Sequence, residues 1–119
     1  MRFVCRNCGS IISEPVVVLE DDRLLFSSDQ VDRLPSGYAH KETIFANDPV
    51  ERWCINLADA IHLRHTDDPR RLNGCCGLDG LDGPNLVCET CGEAVATERS
   101  DCWMPHFIAL ESDKTLISE

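Results

Sequence analysis

Residues 1–12, MRFVCRNCGSII, are echoed by residues 85–95, NLVCETCGEAV. Cys5 and Cys8 match Cys88 and Cys91, Gly9 matches Gly92, and Phe3-Val4 matches Leu86-Val87. Two residues between the cysteines let a tight turn aim both sulfurs at one point. The glycine can take the positive φ the chain needs to leave, and backbone N–H groups around the turn can bond thiolates. One such knuckle supplies half of a tetrahedral shell and two complete it. The repetition therefore predicts a shared metal site of Cys5, Cys8, Cys88 and Cys91, with the start of the chain brought against residues 86–92. Two alternatives are a pair of dithiol redox motifs and cysteines buried by coincidence. A dithiol motif wants its cysteines at the start of a helix, which Gly9 and Gly92 argue against.

The paired knuckles resemble those of zinc-ribbon and rubredoxin-like proteins, each with a strand leading in and apolar chain leading out. The resemblance covers residues 2–12 and 86–97 and implies that Cys5, Cys8, Cys88 and Cys91 are the metal ligands. It departs from the simple members of those families in the 79 residues that separate Cys8 from Cys88. Zinc and iron both accept four thiolates in a tetrahedron. A small acidic chain suits a rubredoxin-like iron carrier, but electron transfer needs no long insert and no second redox group is suggested. Zinc is favoured and iron is the alternative.

The 119 residues suit one domain (1–119), with knuckle halves at 1–12 and 86–97 and an insert at 13–85. Seven aromatic residues are few, so the core must rest on Val, Leu, Ile and Cys. The formal net charge of -10 disfavours direct binding to a phosphate backbone. It fits solubility or a basic protein partner better. No segment approaches the ~20 apolar residues that span a bilayer, so no membrane association is expected. Cys5 comes too early for a secretory signal, which points to the cytoplasm. In that compartment cysteines read as metal ligands or buried thiols before disulfides.

The expected fold class is α+β, strand-rich, with one helix in the insert. Strands are read at 2–5, 14–21, 93–97, 105–110 and 114–118, and RLLF (23–26) could pair back on 14–21. A short helix could occupy 29–34. In NDPVERWCINLADAIHLRH, Asp48 can cap, Pro49 suits the first helical position and Glu51 completes a capping box. Val50, Trp53, Cys54, Leu57 and Ile61 recur at helical spacing, so a helix is expected over about 49–63. The competing reading is a strand through 52–57, since Trp-Cys-Ile is good strand material. Residues 66–85, with four Gly and two Pro, read as irregular.

Cys54, Cys75, Cys76, Cys102, His40, His62, His65 and His106 are left over. Cys102 and His106 have usable metal spacing and could join Cys75 or Cys76 in a second zinc site, although adjacent cysteines usually point apart. Their plainer reading is as small buried hydrophobes and surface imidazoles. His62 and His65 would share a helix face but lack the glutamate of a zinc-protease motif. Asp79 and Asp82 faintly suggest calcium without its bidentate glutamate. Cys54 with His62, or Cys102 with His106, lack an orienting group for thiol catalysis.

Four thiolates leave no open coordination position, so a structural metal and no enzyme activity are expected at the knuckles. The function expected is that of an acidic accessory, adaptor or inhibitor that docks a protein partner through the insert. An immunity-type inhibitor of a basic enzyme is one form of it, chosen from charge and size alone. The rivals are a rubredoxin-like iron electron carrier and a small thiol enzyme.

Overall fold

The computed structural model describes residues 1–119. Its strands are β1 (Arg2–Cys5), β2 (Val17–Val18), β3 (Tyr38–Thr43), β4 (Glu51–Ile55), β5 (Leu63–His65), β6 (Leu86–Cys88), β7 (Ala94–Arg99), β8 (Phe107–Leu110) and β9 (Thr115–Ser118). Seven of them form one sheet in the order β2-β3-β4-β8-β7-β6-β5, and β1 pairs with β9 in a second, two-stranded sheet. Only β2 with β3 runs parallel; the other neighbours are antiparallel.

The central strand explains the rest. All four residues of β8 are buried, because the large sheet has an apolar core on each face. Side chains alternate across a strand. Ile108 and Leu110 enter the larger core with Phe3, Cys5, Ile12, Val16, Ala39, Ile55, Val95 and Ala96. Phe107 and Ala109 enter a smaller core with Leu19, Leu34 and Cys54. β1 and residues 11–16 cover the larger core through Phe3, Cys5, Ile12 and Val16, and the Phe3 ring lies 5.8 Å from that of Trp53. Each large side chain so buried contributes about 1.5–3 kcal/mol.

The expected helix over 49–63 does not form, and the fold is mostly β rather than α+β. No helix reaches seven residues; three 3-10 turns, Asp22–Leu24, Leu57–Asp59 and Pro69–Arg71, are the only helical elements. Two-sided burial is the reason. Adjacent Trp53 and Cys54 are both sheltered, on opposite faces of β4, so their apolar pairing mimics a helical stripe. The capping signal is also real but serves a strand. Asp48 Oδ1 accepts from the Val50 N–H at 3.0 Å and Oδ2 from the Arg52 guanidinium at 3.0 Å, setting a turn into β4. Asn56 then ends the strand by capping the turn at Leu57–Asp59, its Oδ1 accepting from the Ala58 N–H at 2.8 Å.

The strand readings at 2–5, 93–97, 105–110 and 114–118 correspond to β1, β7, β8 and β9. The stretch 14–21 yields only the short β2, because it passes between the cores: Val16 enters the larger, Val17 and Val18 face solvent, and Leu19 enters the smaller. RLLF does not pair back on it. Arg23 and Leu24 lie in a 3-10 turn, and Leu24 and Leu25 pack against the smaller core. The expected helix at 29–34 is replaced by turns and a single bridge from Asp32 to His106.

Candidate metal centre

Each knuckle is the loop of a hairpin. β1 runs into Cys5 and the chain returns along it through the Val4–Ile11 bridge; β6 runs into Cys88 and returns as β7. The two loops share one hydrogen-bond pattern. The Cys5 N–H donates to the Ser10 carbonyl at 2.8 Å and the Gly9 N–H to the Cys5 carbonyl at 2.8 Å. In the second copy the Cys88 N–H donates to Glu93 at 2.9 Å and the Gly92 N–H to Cys88 at 2.8 Å. Gly9 and Gly92 have the same φ of 78°, with open space where a Cβ would sit. The glycines supply conformational freedom there, not room.

The strand-end cysteines Cys5 and Cys88 are buried, and Cys8 and Cys91 are exposed. Sulfurs approach one another across the knuckles: Cys5 Sγ lies 3.6 Å from Cys91 Sγ, and Cys8 Sγ lies 3.6 Å from Cys88 Sγ. All four sulfurs lie within 4.8 Å of one another. Four thiolates at about 2.3 Å from a tetrahedral ion stand about 3.8 Å apart, whereas a disulfide requires about 2.05 Å. The four cysteines thus form a zinc-ribbon-like cluster whose spacing fits one metal ion. The donor set suits zinc or iron.

The surroundings treat the thiols unequally. Burial pushes the Cys5 thiol up to about 12, while the Asn7 side chain and the Glu93 backbone N–H draw Cys91 down to about 7. Beside the knuckles, Lys114 Nζ holds Glu93 at 2.8 Å, and the Arg6 N–H donates to the Lys114 carbonyl at 2.9 Å. Thr90 Oγ1 reaches Ser10 Oγ at 3.2 Å, tying one loop to the other.

A second cluster brings the Sγ atoms of Cys75, Cys76 and Cys102 and a carboxylate oxygen of Asp101 within 4.8 Å of one another. Cys76 and Cys102 are joined as a disulfide, with Cα atoms 5.9 Å apart, and Cys75 Sγ lies 3.9 Å from Cys102 Sγ. Asp101 organises this region and escapes a reading of the sequence. Its Oδ1 accepts from the Cys76 and Cys102 N–H groups at 3.1 and 2.8 Å; its Oδ2 accepts from the Cys75 N–H and the Trp103 indole at 3.0 and 2.9 Å. Those donors, the Cys76 N–H foremost, hold its carboxyl at about 2. The only available signal was its place beside Cys102.

His106 is not part of this cluster; its Nε2 lies 2.9 Å from the Asp101 carbonyl oxygen. His62 and His65 share no helix face. His62 sits at φ 57° with its Nδ1 3.8 Å from Glu89, and His65 lies on β5 with its Nε2 3.1 Å from Glu98. His40 Nδ1 meets Glu42 at 2.6 Å. Asp79 accepts from the Leu81 N–H at 3.0 Å, which serves a turn, and Asp82 accepts from the Asn73 side-chain amide at 2.7 Å, which ties residue 82 back to residue 73. Cys54 is buried in the smaller core, which pushes its thiol well up and makes it a poor nucleophile. No helix is long and apolar enough to cross a membrane. Comparison with protein-family models, with curated proteins and with solved structures finds no match to this chain.

Proposed function

We propose that this chain is a zinc-stapled, non-enzymatic docking protein of the cytoplasm, whose metal holds the fold and whose acidic insert meets a basic protein partner. The observation that carries the reading is the spacing of the Cys5, Cys8, Cys88 and Cys91 sulfurs, which suits one tetrahedral ion. Four thiolates fill that shell, so the ion activates neither water nor substrate. Its work is mechanical: it joins the end of β1, and with it the β1/β9 sheet, to the end of β6 in the large sheet. Zinc is preferred over iron because stapling requires no redox change.

The docking surface we favour lies between residues 14 and 32. Val17, Val18, Phe26 and Val31 are exposed there, among exposed Glu14, Glu20, Asp22, Asp29 and Asp32. The one arginine of that stretch, Arg23, is engaged by Asp21 at 2.9 Å. Apolar side chains rimmed by acids suit a basic, partly apolar partner. Metal content measured by plasma mass spectrometry should give one zinc per chain in protein whose Cys76–Cys102 disulfide is intact. Full zinc in Cys8→Ser or Cys91→Ser would refute the shared site. Combined Glu20→Lys, Asp22→Lys, Asp29→Lys and Asp32→Lys substitution should abolish capture of the partner while zinc content stays at one. Undiminished capture would move the docking surface elsewhere.

A further inference from the structure

The second cysteine cluster has a built scaffold that stapling at the knuckles does not explain. Residues 73–77, Asn-Gly-Cys-Cys-Gly, are pressed against residues 100–102. A Cβ on Gly74 would collide with the Gly77 carbonyl oxygen, and a Cβ on Gly77 with the Ser100 carbonyl oxygen. Two glycines are thus required by close backbone approach, and they place Cys75 and Cys76 beside Cys102. Asp101, itself almost fully buried, then gathers the N–H groups of all three cysteines onto one carboxylate. Its lone pairs are used by the scaffold, which leaves the sulfurs as the available donors. The Cys75 and Cys76 residues are exposed and Cys102 is partly exposed, so the cluster opens to solvent.

This framework accommodates the reduced state as well as the disulfide. With the Cys76–Cys102 bond open, the Cys76 thiol has an acceptor in Asp101 Oδ1 at 3.3 Å, and the Cys102 thiol faces Cys75 Sγ at 3.9 Å. Three thiolates about 2.3 Å from a common ion stand about 3.8–4.0 Å apart. The separation of Cys75 from Cys102 already meets that. The other two separations involve Cys76, which must leave Cys102 and stand equally far from both Cys75 and Cys102; reduction frees it to do so, and its sulfur already lies within 4.8 Å of both.

We propose that Cys75, Cys76 and Cys102 form a second metal site, selective for a thiophilic ion such as Zn²⁺, Cd²⁺ or Cu⁺, which the Cys76–Cys102 disulfide closes. Reduction by a dithiol transfers two electrons and two protons to the pair, giving two thiols and the oxidised cyclic disulfide of the reductant. Binding of a divalent ion then releases three protons from the three thiols. A disulfide oxidant, such as the oxidised cyclic form of that dithiol, reverses the order: the ion leaves as three protons return, the S–S bond forms between Cys76 and Cys102 as two electrons and two protons pass to the oxidant, and Cys75 is left as a free thiol. Cys75 is the discriminating residue, because it belongs to the metal site and not to the disulfide. Unlike the knuckles, this site has three protein ligands and leaves a coordination position open on its solvent side.

The test uses Cd²⁺ with the full chain, counted by native mass spectrometry and followed by thiolate-to-metal absorbance. Reduced protein should hold two Cd²⁺ per chain, and protein oxidised at Cys76–Cys102 should hold one. Cys75→Ser should form the disulfide normally yet hold one ion in both states, with affinity for the second equivalent lowered at least tenfold. Cys8→Ser should lose the knuckle equivalent and keep the second, which separates failure here from failure of the knuckle site. One ion in reduced wild type, two in the oxidised form, or two held equally tightly by Cys75→Ser would each overturn the proposal.

Discussion

The molecule gathers cysteines twice, by opposite means. At the knuckles, sulfurs from two hairpin loops 80 residues apart in sequence converge in a shell of thiols, with open space around Gly9 and Gly92. At Cys75, Cys76 and Cys102 the loops are locked first, by a buried carboxylate and by glycines with no room for a side chain, and the sulfurs follow. On the function proposed, the first site depends on an ion to hold distant segments together. The second has its backbone fixed whether or not an ion is present. A metal should therefore be worth a great deal to stability at one and little at the other.

Substitution should expose that difference most strongly at Cys88. Losing one knuckle ligand forfeits most of a binding energy that reaches roughly 10–16 kcal/mol in structural zinc peptides. Cys88→Ser should cost at least about 3 kcal/mol, on the order of 10 °C in melting temperature. Cys75→Ser, by contrast, should leave the melting temperature within about 2 °C of wild type under oxidising conditions, since surface changes rarely exceed about 0.5 kcal/mol. Equal losses in the two variants would erase the distinction.

The glycines offer a finer contrast. Gly77→Ala places a methyl against the Ser100 carbonyl and should cost about 1–3 kcal/mol in denaturant melts, as overpacking does. Gly9→Ala meets only the left-handed φ of 78°, at about 1–2 kcal/mol, and Gly9→Asn should recover much of that. If Asn at position 9 is no better tolerated than Ala, crowding rather than backbone conformation rules there.

Acidity should separate the sites through Asp101. Its folded carboxyl sits at about 2, depressed from 3.8, so its stabilising effect is complete above pH 4. That effect is lost as pH falls towards 2, where the carboxylate protonates in the folded state too. The difference in melting temperature between wild type and Asp101→Asn should therefore be largest at neutral pH and shrink between pH 4 and 2. Taking the difference between the two proteins cancels the loss of knuckle metal as thiolates protonate, which affects both. A gap that stays constant with pH would mean the carboxylate charge contributes nothing.

What the sequence made legible follows from this contrast. The knuckles were readable because one short phrase carries both ligands and the glycine that turns the chain, and because the phrase occurs twice. Strands β1, β7, β8 and β9 announced themselves as short apolar runs. The strand at 51–55 was legible only as the competing reading through 52–57, since cores on both faces shelter Trp53 and Cys54 together and erase the alternation on which strand reading depends. Asp48 reinforced the error by capping in earnest, at the entrance to a strand. The second cluster was half visible. Cys102 was singled out, but His106 was weighed as its companion, whereas the organiser is Asp101, whose role rests on backbone N–H groups from a loop 25 residues away. Nothing in local spacing encodes that approach.

The central claim is that one ion shared by the two knuckles holds the β1/β9 sheet to the rest of the fold. It is tested most directly by melting demonstrably metal-free protein, prepared with a strong chelator at neutral pH with the Cys76–Cys102 disulfide intact, against the same protein reloaded with one equivalent of zinc. The account predicts that removal abolishes the near-ultraviolet circular dichroism of Trp53 and Phe3 and lowers the melting temperature by on the order of 10 °C or more, with full recovery on reloading. An unchanged melting temperature and spectrum in the metal-free protein would contradict it.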